Sequence, residues 1–391
     1  MKMKFKLLLL CVACLSLPSS SSSVSSSVSS SVSSSVSSSV SSSVSSSRLR
    51  VARVGSSVNH PTGDPNFAVL ESFPSNLDYE HTSPFLLSHE WGTATKAPLA
   101  QHAPDPGPPS QPGDRHVGWH PHRGFDILSY IKQGRGSHAD SMGNVAIVRP
   151  GGVQWMRTGS GVEHAEGGGN PPGVEKHGFQ LWINAAAADK MKDPDYGTVQ
   201  PEDVPETRSA SGGLCRFLAG PRAAAFQDRQ DFSIVDVELP NAKATFALSV
   251  PTGFSHIIVY PYQGLGKVSG EVIRPQHAAV MRPMDDDSAA GVGNVVIGAD
   301  GNMEGVASGD NVDNGTIVEF ESLEDTGAAF LVFMGQPMDE PVSWRGPIVM
   351  STARQVSTAY RELRNGGFLK KRVNFDYQAQ KPTKGPPLTL L

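Results

Sequence analysis

The sequence predicts an all-β protein closed by one short C-terminal helix, and three observations carry that reading. From about Phe67 onward, short apolar runs alternate with turn signals such as Gln-Gly-Arg-Gly and Arg-Pro-Gly-Gly. The chain of 391 residues contains 40 Gly, 30 Pro and only 18% charged residues, which favours many short strands over long helices. A segment also returns within the chain: Tyr130-Ile-Lys-Gln133-Gly134-Arg-Gly136 recurs as Tyr260-Pro-Tyr-Gln263-Gly264-Leu-Gly266. Such a repeat points to two copies of one β domain, arranged as a sandwich or barrel.

Taken in order, Lys2 to Lys6 form a basic start and Leu7 to Leu17 an apolar run too short to span a bilayer. Residues 1–18 read as a secretory signal peptide. Residues 19–63 are a Ser-rich tract with Val at every fourth position from 24 to 44, then Arg48, Arg50 and Arg53. The tract has too little apolar surface to offset chain entropy and is expected to be disordered, and its acid-free, Arg-containing end resembles a transit peptide. The expected destination is the secretory route, as a secreted or secondary-plastid protein. A misplaced gene start would return it to cytoplasm or nucleus.

The expected strands are Asp126–Ile131, Val145–Val148, Phe179–Ile183, Phe232–Leu239, Ala244–Val250, His256–Tyr260, Ile317–Phe320 and Ala328–Phe333. The expected helix is capped by Ser351, aligns Val356, Tyr360 and Leu363, and stops at Gly366-Gly367. A basic, then Pro-containing, tail follows to Leu391. Apart from the leader, no apolar run is long enough for a membrane anchor.

Formal net charge is −5, and the six basic residues before Asp64 leave −11 for residues 64–391. So acidic a body argues against direct nucleic-acid binding, which needs cationic residues to displace phosphate counterions. Of the cysteines, Cys11 and Cys14 fall in the leader. Cys215 is expected to be a free, buried thiol without a catalytic role.

Chemistry is concentrated in two pairs, His120-Pro121-His122 and His164-Ala165-Glu166. Residues two apart on a strand share a face, so two facing strands would aim three imidazoles and one carboxylate at one point. Such a donor set suits Fe, Mn, Ni, Cu or Zn and disfavours Mg and Ca. It could close a tetrahedral zinc site or leave places open on an octahedral iron. His138, His256 and His277 lack partners at ligand spacing and are expected to be surface or satisfied core histidines. Trp155 is expected in the core.

The stretches His120-Pro-His-Arg-Gly-Phe125, Gln154-Trp-Met156, Gly161-Val-Glu-His-Ala-Glu166 and His177-Gly-Phe-Gln-Leu-Trp-Ile183 closely resemble the pirin family of bicupins. Pro84-Phe-Leu-Leu87 and Gly346-Pro-Ile-Val-Met350 fit the same pattern in the same order. The resemblance covers roughly 66–368, with insertions around 98–116, 167–176 and 282–312. It implies two tandem antiparallel β-barrels: a metal-binding one over 66–200, a metal-free one over 210–350, then a helix and tail over 351–391. The ligands it implies are His120, His122, His164 and Glu166, holding one metal per chain, usually Fe(II), with Mn, Ni, Cu and Zn as alternatives. Asp126 stands where relatives tend to have Glu. Glu163 is unusual beside a ligand and is expected to face away from the site.

Two functions follow from the resemblance. The first is a quercetin 2,3-dioxygenase-like enzyme acting on a flavonol or related phenol with O2, Glu166 being both ligand and general base. The second is an iron-dependent redox-sensing regulator that binds a transcription factor or metabolic enzyme without catalysis. The acidic body and the leader favour the enzyme, and the chain is expected to be a monomer.

Overall fold

The computed structural model describes residues 49–62, 66–107, 117–167, 170, 173–283 and 315–373. The signal peptide, the Ser tract to residue 48, nearly all of the 282–312 insertion and the tail beyond 373 lie outside the described residues. In chain order the elements begin with β1 (Leu49–Ser56), β2 (Val58–His60), β3 (Ala68–Phe73), α1 (Tyr79–Thr82), β4 (Phe85–Gly92), β5 (Val117–His122) and β6 (Phe125–Gln133). There follow β7 (Gly136–Asp140), β8 (Val145–Val148), β9 (Val153–Arg157), β10 (Val162–Glu166), β11 (His177–Asn184) and β12 (Asp195–Val199). The second half holds β13 (Glu206–Arg208), β14 (Leu214–Ala219), β15 (Phe232–Leu239), β16 (Thr245–Ser249), β17 (His256–Gln263), β18 (Gly266–Val268) and β19 (Glu271–Ile273). It ends with β20 (His277–Pro283), β21 (Ile317–Ser322), β22 (Ala328–Gly335), β23 (Ser343–Arg345), β24 (Ile348–Met350) and α2 (Ala353–Arg364).

These strands form two barrels of one design. Each has a seven-stranded sheet and a four-stranded sheet, ordered β12-β9-β6-β11-β4-β3-β2 with β5-β10-β7-β8, and β1-β20-β17-β22-β15-β14-β13 with β16-β21-β18-β19. The two orders match strand for strand, so the Tyr130 and Tyr260 segments occupy equivalent strands, β6 and β17. Gly134 and Gly264, both at positive φ, make the equivalent turns. The alternation read from sequence matches what the sheets need, since one face of each strand must be apolar.

The termini depart from the expected boundaries. The Ser-rich segment was expected to run to residue 63, but β1 pairs with β20 and completes the second barrel. Leu49 is buried in that barrel's core, with Val51 packed against it. Leu49 and Val51 supply the apolar face, and Arg50 between them is exposed on the other side of the strand. The second barrel starts at β13, before residue 210. The β23–β24 hairpin, expected within the second barrel, packs on the first: Val349 lies with Phe125 and Val162, and Ile348 bridges Arg123. Helix α2 is capped by Thr352 rather than Ser351. Thr352 is extended (φ −140°, ψ 150°), and its hydroxyl accepts the Gln355 N–H at 3.3 Å.

The two seven-stranded sheets face each other across a mixed core. Its apolar part includes Phe73, Phe85, Phe179, Phe232, Ile258 and Phe333. Embedded beside it are Lys132, Arg216, Asp236 and Glu238, all buried or nearly so. Lys132 donates to Asp236 (2.9 Å) and to Glu238, Arg216 donates to Glu238, and Tyr130 and Tyr262 donate to Asp236 at 2.7 and 2.8 Å. Burial alone would push the Asp236 carboxyl up, but Lys132 and Arg216 hold it well below the usual carboxylate range. A second knot lies nearby: Glu90 accepts from His177, Lys96 and Tyr260 at 2.9, 2.5 and 2.7 Å.

Breaking a buried ion cluster leaves a charge unpaired, at a cost of about 3–5 kcal/mol. Asp236→Ala is therefore expected to lower the urea midpoint by that free energy, whereas Glu319→Ala on an exposed strand position stays within about 0.5 kcal/mol. Acid should act through Glu90. Burial opposes its ionisation, yet His177 and Lys96 hold it down at about 2, against an ordinary 4.5. A depressed carboxyl stabilises the fold fully above the unfolded value and loses that contribution as pH falls from about 4.5 toward 2. The urea midpoint of Glu90→Gln should fall less steeply over that window than that of the parent chain.

Candidate metal centre

Strands β5 and β10 pair antiparallel with His120 directly opposite His164 and His122 opposite Val162. Four strands intervene in sequence, so this neighbourhood is built by the barrel rather than by a hairpin. Side chains two apart share a face, and the three imidazoles converge. Their candidate donor atoms all lie within 4.8 Å of one another. Nε2 of His120 and Nε2 of His164 are 2.9 Å apart. The register shifts between His164 and Glu166, and the Glu166 carboxylate stands beside the triad, its Oε1 4.0 Å from His164 Nε2. The structure thus gathers all four predicted residues, with the carboxylate slightly apart from the three rings. Glu163, opposite Pro121, alternates to the other face.

The tautomers suit metal binding. His120 Nδ1 lies 2.8 Å from the Gly118 carbonyl, which can only accept, so Nδ1 carries the proton and Nε2 presents its lone pair. Burial pushes His122 and His164 well below 6.5, with neighbouring imidazoles adding to it; the Pro347 carbonyl opposes the shift at His122. All three rings are therefore neutral at physiological pH. Neither nitrogen of His122 makes a hydrogen bond of normal geometry, although the ring is buried. An unpaired buried polar group costs about 1–3 kcal/mol, and an ion at the point of convergence removes that cost. Two nitrogens sharing an ion at about 2.1 Å stand roughly 3 Å apart, close to the spacing seen here. Burial also raises the Glu166 carboxyl to about 7, against the Gln180 hydrogen bond, and a cation alongside would favour its charged form. The donor set and its surroundings fit a first-row transition metal.

A second layer holds the carboxylate. Gln180 donates to Glu166 Oε1 at 2.9 Å and Gln154 to Oε2 at 3.4 Å. Ser129 donates to Gln180 and accepts from Gln154, and Tyr196 donates to Gln154. Gln180, Ser129 and Tyr196 escaped the sequence reading. The first two left a signal, being polar residues at inward positions of apolar runs. His138, expected to be a surface or satisfied core histidine, is buried, 3.2 Å from Asp140 and stacked on Tyr196 at 4.0 Å. It also lines the site. A small cavity there has Ile127, Gln154, Met156, His164 and Glu166 among its walls. Trp155 packs against Phe226 in the inter-barrel core, as expected of an aromatic on a barrel strand. His256 and His277 are satisfied by backbone carbonyls.

The second barrel lacks the site for a reason visible in its register. Glu166 pairs with His138 in the first barrel, and Phe320 pairs with Val268 at the equivalent place. Stepping back along both strands sets His164 against Val318, His120 against Leu248 and His122 against Val250. Extended back at its own offset of 130 residues, the sequence repeat sets His120 and His122 against Val250 and Thr252, two residues too far. The structural equivalents are apolar and pack in a core of Phe246, Phe254 and Phe330.

A family model described as Pirin matches residues 66–183, and one described as Pirin C-terminal cupin domain matches 293–369. A Pseudomonas aeruginosa protein named "Putative quercetin 2,3-dioxygenase" is 30% identical over 78% of this chain and 94% of its own length. The chain belongs to the pirin family. Human pirin is 29% identical over 63% of this chain and 75% of its own. A crystal structure of quercetin 2,3-dioxygenase from Acinetobacter baumannii superposes with a TM-score of 0.61 at 25% identity, covering 82% of this chain and 98% of that one. The two barrels are therefore the bicupin architecture of this family. Among the described residues no helix is long and apolar enough to cross a membrane.

Residues that orient a metal's ligands usually matter by about 10–100-fold in affinity. Gln180→Ala is expected to weaken metal binding by that factor in competition with a chromophoric chelator. His122→Ala should abolish binding at this centre while shifting Tm by less than about 4 °C, because the cores do not depend on the ion.

Proposed function

We propose that this pirin-family chain is an iron-dependent dioxygenase that opens a phenolic, flavonol-like substrate with O2. The observation that carries the reading is the convergence of three neutral imidazoles, two of them fully buried, beside a carboxylate with no cation against it on the wall of a cavity. His120, His122, His164 and Glu166 would hold the metal, which when bound supplies Lewis acidity and redox capacity. Its names among relatives, quercetin 2,3-dioxygenase and pirin, agree with such a centre.

The chain's own residues would do the following. Glu166, its charged form favoured by a cation alongside against the burial that raises it, would accept the proton of an acidic substrate hydroxyl. Gln180 and Gln154 hold that carboxylate in place, so that the proton arrives at a fixed atom. Ile127, Met156 and the stacked pair His138–Tyr196 wall the cavity and exclude water from the reacting face. The space at the site for the centre of a water-sized molecule is about 10 Å³, room for roughly one water. A phenolic ring would therefore enter only as these side chains move aside, and single-ring phenols are to be tried alongside quercetin.

One observation favours the regulatory reading. Arg123, next to His122, donates to Glu362 of α2 at 2.8 Å and to the Phe368 carbonyl at 2.6 Å. A change of charge at the ion thus has a short mechanical path to a surface helix. Anaerobic iron loading followed by O2 uptake with quercetin and single-ring phenols separates the readings. The dioxygenase reading expects about one iron per chain and uptake that Glu166→Ala abolishes. One iron with no uptake across the panel would give the regulatory reading the lead.

A further inference from the structure

A second group of ligand-type side chains lies outside the centre just described. His60 on β2, Glu71 on β3 and His89 on β4 come from three neighbouring strands, and their donor atoms all lie within 4.8 Å of one another. Glu71 Oε2 is 3.0 Å from His60 Nε2 and 3.5 Å from His89 Nε2. Two ligands of a tetrahedral ion at about 2.0–2.1 Å stand roughly 3.3 Å apart, so both spacings bracket the value such an ion would set. The other carboxylate oxygen, Oε1, accepts the Ser75 N–H at 2.8 Å, which fixes the group's orientation and turns Oε2 toward the rings.

Burial and exposure are divided as a site would need. The Glu71 side chain is 9% exposed, whereas those of His60 and His89 are 24% and 23% exposed. The carboxylate therefore forms the floor, and the rings leave a side open to solvent. Burial works against the charge on Glu71, yet hydrogen bonds from His89, Ser75 and His60 hold it near 2, so it is anionic at neutral pH. His89 lies opposite Gln180 and Glu71 opposite His89, on one cross-strand row.

We propose that His60, Glu71 and His89 form a second metal site, solvent-facing and selective for a late first-row divalent ion such as Zn2+. Two imidazoles and one carboxylate leave positions for water, and this donor set binds Zn2+, Ni2+ and Cu2+ more tightly than Fe2+ or Mn2+. The ion would clip the short strand β2 to β3 and β4. It stands independently of the chemistry at His120, His122 and His164.

The test is zinc stoichiometry on the tag-free full chain, stripped with chelator and equilibrated with low-micromolar Zn2+. Two equivalents are expected for the parent chain, one for His60→Ala and one for His164→Ala. Glu71→Gln, nearly the same shape without the charge, should also lose one equivalent and guards against a misfolded alanine variant. A parent chain that binds a single equivalent, or a His60→Ala and a Glu71→Gln that each keep two, would overturn the proposal. So would a His164→Ala that binds none.

Discussion

The candidate metal centre depends on one register, the pairing of His120 with His164 across β5 and β10. A slip of one residue would turn every ligand to the far face of its sheet. That register is fixed from outside the barrel. Immediately after His122, the Arg123 N–H donates to Pro347 and the Arg123 carbonyl accepts from Val349. Gly124 sits at φ +87° against the Val349 carbonyl, where a side chain would collide. The Arg123 guanidinium lies over the Phe368 ring and is bound to Glu362. The C-terminal hairpin and helix thus hold the end of the ligand strand, and Lys190 ties the same hairpin to Gly124 and Asn184.

The contrast between the two barrels follows from what fills them. The first keeps polar groups inside, several of them partnered: Glu166 with Gln180 and Gln154, His138 with Asp140, His120 with Gly118, while the His122 nitrogens are left for an ion. The second places Leu248, Val250, Val318 and Phe320 at the same positions and needs no ion. It presents a sheet whose Asp236, Glu238 and Arg216 neutralise Lys132 of the first barrel, and removing one partner from such a knot costs far more than the knot contributes.

Much of this was legible beforehand because the relevant signals are local. Strand alternation, the turn glycines and the i, i+2 spacing of His120/His122 and His164/Glu166 depend only on near neighbours, and the observed strands contain or closely match the runs read from sequence. The repeat was also real, though its alignment beside the ligands slipped by two residues. Short motifs carry no record of where a strand's pairing begins, and only the ladders with β7 and β18 set it.

The sequence by itself determined the all-β class, the doubled domain, the identity of the four clustered side chains and the lack of a partner motif in the second half. Tertiary structure decided which chain segment completes which barrel: β1 joins the second and the β23–β24 hairpin the first, against the order of the chain. It also decided that Gln180, Ser129 and Tyr196 stand behind Glu166, and that His60, Glu71 and His89 meet. The physical reason is the same in each case. These contacts join strands distant in sequence, and their geometry comes from sheet order and register, which no local pattern of residues specifies.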